Sequence, residues 1–92
     1  MITIHKYSLD FFEESGASAV VNVPKDAELL DIQLQRGVMC AWYLLDDSAP
    51  VVGREFMVSS TGGPFDAARE HVRHFRTIQS GGYVWHIFEA LL

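Results

Sequence analysis

Apolar and polar residues alternate in short runs along most of this chain, and Gly, Pro, Asp and Ser punctuate the runs. Alternation with period two places successive side chains on opposite faces of a strand. Residues 2–7 set Ile2, Ile4 and Lys6 against Thr3, His5 and Tyr7, a first strand suited to an edge. Residues 8–16 read as a loop with a helical turn, and residues 17–23 as a second strand that Pro24 ends by withdrawing a donor. Pro24, Lys25, Asp26 and Ala27 form a turn. The third strand spans 29–35, with Leu30, Ile32 and Leu34 on one face and Asp31, Gln33 and Gln35 toward water. Arg36-Gly37 is a hairpin connection. The run 38–45, VMCAWYLL, is apolar on both faces, as in a strand covered on two sides.

The chain is organised around residues 51–65, VVGREFMVSSTGGPF. Val52, Arg54, Phe56 and Val58 share one face of a strand and Val51, Glu55 and Met57 the other; the strand then runs into Ser-Ser-Thr-Gly-Gly-Pro. Beyond Pro64, the intervals between Phe65, Ala68, Val72 and Phe75 are three, four and three, which predicts a short helix over 66–73. Pro64 suits its first turn and Asp66 its positive end. The chain closes as a hairpin, 75–79 and 83–89, around Ser80-Gly81-Gly82. The fold class that follows is mainly β: a single domain over 1–92, a small antiparallel β-sandwich or partly open barrel of about seven strands with one short helix. Open edges in such a sheet favour a homo-oligomer.

Composition narrows the function classes. The 92 residues are 49% hydrophobic, which rules against disorder, and no apolar run reaches the roughly 20 residues of a membrane span. The N-terminus lacks the pattern of a signal peptide, so the expected location is the cytoplasm. The single Cys40 lies in the apolar run and reads as a small buried hydrophobe.

Charge is unevenly spread. Residues 1–50 carry three cations against eight acids, and residues 51–92 four arginines against four acids, for a net −5. That balance disfavours direct DNA binding, which depends on a basic surface. Arg54, Arg69 and Arg73 nevertheless suit a local anion site, because the guanidinium fork matches phosphate. With Ser60, Thr61, Gly62 and Gly63 they make the candidate ligand-binding set, since amides at a glycine-rich bend can converge on an anion. The plainer alternative is that these arginines are solvated or paired with Glu55, Asp66 and Glu70. No lysine follows position 25 and no P-loop is present.

His71 and His74 have a metal-compatible spacing, but no HExxH or CxxC accompanies them, so no metal and no cofactor is expected. Ser59 with His71, His74 or His86 is the candidate for hydrolysis, without a GxSxG motif. Trp42, Tyr43, Tyr83 and Trp85 are stacking candidates, at least two of which belong in the core.

HKYSL at 5–9, VPKDAELLDIQLQRGVMCAWYLLDDSAP at 23–50, STGGPF at 60–65 and IQSGGYVWHIFEA at 78–90 resemble a family of small proteins encoded by tailed bacteriophages. That family's pattern is approximately HKYPL, LPxGAxILSVQxQxGxPxLWALVDP, GTGHP and FQxxGGxLVFHVFE. Ser60 replaces its first loop glycine here, and Gly63 its loop histidine. The resemblance implies a phage origin and no mechanism. Its expectation is a non-catalytic accessory protein that acts in the host cytoplasm by stoichiometric binding against a host defence. The target is either a defence protein such as a CRISPR effector or a nucleotide immune signal. Glu13, Glu14, Asp46 and Asp47 are the candidate partner-binding acids, since an acidic face can mimic nucleic acid. The alternatives are a small nucleotide-degrading hydrolase and a minor phage structural or assembly protein.

Overall fold

The computed structural model describes residues 1–11, 18–65 and 67–91. The described residues form seven strands: β1 (Ile2–Ser8), β2 (Ser18–Pro24), β3 (Glu28–Gln35), β4 (Val38–Asp46), β5 (Val51–Ser60), β6 (Val72–Ser80) and β7 (Tyr83–Ala90). They form two sheets, one ordered β1-β4-β3 and the other β2-β5-β7-β6, so the mainly β, antiparallel expectation holds. The architecture is not a closed barrel. Among the described residues no helix is long and apolar enough to cross a membrane. The chain divides into two compact units, residues 1–10 with 20–54 and residues 11–19 with 55–92.

In the first unit β4 is the central strand, antiparallel to β1 and β3 with Ile4 opposite Leu44 and Ile32 opposite Ala41. Alternation along β4 buries Ala41, Tyr43 and Leu45, and Val21, Val23 and Ile32 are buried in the same unit. The β3–β4 hairpin turns at Arg36 and Gly37 with φ of 52° and 79°. Two successive positive φ values match the right-handed twist of the flanking strands, and glycine takes the second without a Cβ penalty.

Two expectations about faces need correction. Leu30, Ile32 and Leu34 do not share a buried face: the register slips between Leu29 and Asp31. The extra residue reverses the phase of the strand, leaving Leu30 42% exposed while Ile32 is fully buried. The carboxylate of Asp31 accepts the amide of Ile32 at 2.8 Å beside this bulge. Strand β4 is not covered on both sides throughout, because Leu44 is exposed and Trp42 half-buried.

In the second unit β7 lies between β5 and β6, pairing Phe56 with Glu89, Val58 with Ile87 and Ser59 with His86. Phe56, Val58 and Ile87 are buried on one face. Glu89 is buried beside them, with Arg73 Nη2 3.5 Å from its Oε1. The helix expected over 66–73 is absent: a single 3₁₀ turn covers Arg69–His71, and Val72 opens β6. The β6–β7 ladder, from Val72 opposite Ala90 to Ser80 opposite Tyr83, satisfies the backbone that a helix would have used. A register shift at Phe75 interrupts the period of two, so Val72, Phe75 and Ile78 are half-buried at intervals of three. That interval imitates a helical stripe.

Candidate functional site

Strand β5 delivers Ser59 and Ser60 to the bend at Thr61–Pro64, as its sequence implied. The Thr61 amide donates to the Val84 carbonyl at 3.1 Å, and the Gly63 amide to the Ser60 carbonyl at 2.9 Å. Gly62 has φ of 84°, a conformation that favours glycine. The Ser59 hydroxyl donates to the Pro64 carbonyl at 3.0 Å, tying the bend to its own strand. A Cβ at position 63 would lie 2.9 Å from Ser60 Oγ and 3.2 Å from the Ser60 carbonyl oxygen, so a larger residue there would force Ser60 to move. Two of the amides expected to converge on an anion are therefore already engaged, one by β7 and one by Ser60.

A polar chain runs from the bend across the exposed face of β7 and β6. Thr61 Oγ1 is 2.7 Å from His86 Nε2, His86 Nδ1 is 3.0 Å from Thr77 Oγ1, and Thr77 Oγ1 is 2.9 Å from His74 Nε2. Neutral imidazoles and hydroxyls can supply one proton per link in either direction along this chain. Aromatic rings border it: Phe88 meets Phe65 with centroids 4.6 Å apart and His74 edge-on at 5.3 Å. The arrangement arises from register, because Ser59, His86 and Thr77 are directly opposite one another on three neighbouring strands.

The arginines proposed for anion capture are distributed elsewhere. Arg54 donates through Nη1 to the Ala27 carbonyl at 2.8 Å and lies 5.3 Å from the centroid of the Tyr43 ring, within the first unit. Arg73 is directed at Glu89, and Arg69 is exposed on the 3₁₀ turn. Ser60, Thr61, Gly62 and Gly63 do lie together at the bend. Among the hydrolysis candidates, Ser59 gives its proton to a carbonyl while His86 engages Thr61 and Thr77. His71 sits in the 3₁₀ turn. Among the described residues no group of three or more His, Cys, Asp or Glu side chains is placed to hold a metal ion. Of the stacking candidates, Tyr43 is fully buried, whereas Tyr83 and Trp85 stack on each other with centroids 5.2 Å apart.

Of the acids proposed for partner binding, Glu13 and Glu14 lie outside the described residues. Asp46 ends β4 and Asp47 follows it, and the N-terminal ammonium is 3.2 Å and 3.0 Å from their carboxylates. Asp46 Oδ1 also accepts the Ser48 hydroxyl at 2.7 Å and amide at 3.0 Å. These bonds, with the ammonium, hold the Asp46 carboxyl at a pKa of about 2, below the usual carboxylate value.

Sequence inspection missed the Thr61–His86–Thr77–His74 chain. Its signal was present in the closing hairpin: with Gly81-Gly82 as the turn, counting back from Ser80 opposite Tyr83 places Thr77 opposite His86.

The chain belongs to the family described as a domain of unknown function (DUF7352), whose model matches residues 1–91. Neither the curated proteins nor the solved structures contain a significant match.

Proposed function

We propose that this protein is a non-catalytic binding protein that acts stoichiometrically, occupying a target instead of transforming a substrate. The observation carrying this reading is the environment of His86. Its two ring nitrogens are engaged by the hydroxyls of Thr61 and Thr77. A catalytic base of the triad type needs an orienting carboxylate on one nitrogen to stabilise the imidazolium, and here a hydroxyl occupies that position. Two bend amides that could stabilise an oxyanion are also already engaged, by the Val84 and Ser60 carbonyls. An exposed row of hydroxyls and imidazoles bordered by aromatic rings suits recognition of a polar ligand with a flat apolar part.

The resemblance to small proteins of tailed bacteriophages supports a biological setting: an accessory protein that disables a host defence, by sequestering a nucleotide signal or by covering a defence protein. The experiment is expression in bacteria carrying individual defence systems, followed by phage challenge and by incubation of the purified protein with cyclic and linear nucleotides. Restored plaquing with unchanged nucleotide mass is the expected result. A cleaved nucleotide would overturn the non-catalytic reading, and plaquing that stays blocked under every defence system would overturn the counter-defence setting.

A further inference from the structure

We infer that the Thr61–His86–Thr77–His74 row takes up one proton as it binds its ligand, and that the ligand is a singly charged oxyanion joined to a flat ring. The inference rests on the binding reading above and adds to it the ligand class and the condition for capture. All four residues belong to the second unit. Counting protons leads to the result. Two hydroxyls and two neutral imidazoles carry four polar protons between them, one on each side chain. The row has three links, and each link uses one proton. One proton is therefore left to present to a ligand. When the links all run one way, that proton sits at an end of the row, on His74 Nδ1 or on Thr61 Oγ1.

A fifth proton on either imidazole keeps all three links, doubles the outward donors and makes the row a cation. An oxyanion then gains a charge-assisted bond that the neutral row does not offer, and an acceptor elsewhere on the ligand takes the second donor. The paired rings of Phe65 and Phe88, next to His74, supply an apolar border for the ligand's ring. Uptake stops at one proton, because the rings of His74 and His86 have centroids 6.4 Å apart and two imidazolium charges at that range repel. The neighbours that face the row from β5, β6 and β7, namely Met57, Ser59, Gln79 and Val84, are uncharged. Arg73 pairs with Glu89 on the opposite face, where Arg76 also lies by its register with Ile87. Glu55 is four positions along β5 from Ser59; Arg69, Glu70 and His71 belong to the 3₁₀ turn, and Asp66 lies outside the described residues.

Calorimetric titration of the full chain tests this with two probes whose charge stays constant between about pH 8 and about pH 5.5, the range in which imidazole ordinarily gains its proton. Adenosine 3′,5′-cyclic phosphate carries a phosphodiester and benzoate a carboxylate, so the two arms tell which oxyanion the row takes. For at least one of them Kd falls by about tenfold or more across that range, and buffers of different ionisation heat report uptake of one proton per ligand. Adenosine, which has the ring without the charge, shows no such pH dependence. Replacing both imidazoles, His74→Gln with His86→Gln, removes the pH dependence, with circular dichroism as the check on folding. Independently of any variant, the imidazole nitrogen resonances of His74 and His86 move toward imidazolium values when the bound probe is added at about pH 7. Binding of neither anion, binding indifferent to pH, or imidazoles that stay neutral in the complex overturns this inference and leaves stoichiometric binding standing. Conversion of the cyclic phosphate to another product overturns the binding reading itself.

Discussion

The two compact units spend their residues differently. In the first, the described core includes Tyr43, Ile32 and Val23, all fully buried, and polar bonds collect at the strand ends, around Asp46, Ser48 and the N-terminal ammonium. In the second, fewer of the described apolar side chains are buried: Phe56, Val58 and Ile87 in the sheet, with Phe11 and Ala19. A carboxylate, Glu89, is buried among them, and the opposite face of the sheet is crossed by a hydroxyl–imidazole chain. Side-chain hydrogen bonds occur in both units, and the described apolar burial is greater in the first. Hydrogen bonds contribute about 1 kcal/mol net apiece, so the second unit places more weight on each of its few core residues.

The largest test of this contrast is Phe56→Ala. Removing a fully buried phenylalanine costs about 3–5 kcal/mol, a large share of the stability of a small domain. Denaturant melts should register that loss. Amide exchange should show β6 and β7 losing protection ahead of β1, β3 and β4; equal loss in both units would break the contrast.

A smaller effect is expected at the bend. Gly63→Ala forces a methyl group against Ser60 and should destabilise by about 1–3 kcal/mol. Ser60→Gly removes the nearest atom, so the double variant should recover part of that loss. Additive costs in a double-mutant cycle would show that the two positions are not sterically coupled.

The smallest effect concerns pH and belongs to the first unit. The Asp46 carboxyl titrates at about 2 in the folded chain against 3.8 ordinarily, through its bonds to Ser48 and the N-terminal ammonium. A depressed acid pKa contributes stability that is complete above the ordinary value and is lost as pH falls through the folded value. The melting temperature should therefore decline between about pH 4 and pH 2, and Asp46→Asn should flatten that part of the decline. An unchanged slope in the variant would remove Asp46 from the account.

Much of the strand framework was legible from local chemistry. Alternation marked β1, β2, β3 and β5, a continuous apolar run marked β4, Arg36-Gly37 and Gly81-Gly82 marked hairpins, and Pro24 and Pro64 marked ends, because each is a property of neighbouring residues. The candidate site was legible only in part. Ser60 to Gly63 were recognisable as a bend, but nothing local shows whether a bend amide faces outward or is taken by a carbonyl such as Val84.

What the sequence by itself determined is the set of strands and most of their turns, since side-chain period and turn conformation are properties of neighbouring residues. Tertiary structure alone decided the bulges at Leu30 and Phe75, which depend on how many residues the partner strand offers opposite them. It also decided that His86 meets Thr61, 25 positions away, and Thr77, nine positions away. Those contacts exist because three strands are held in one register, and that register is a property of the assembled sheet.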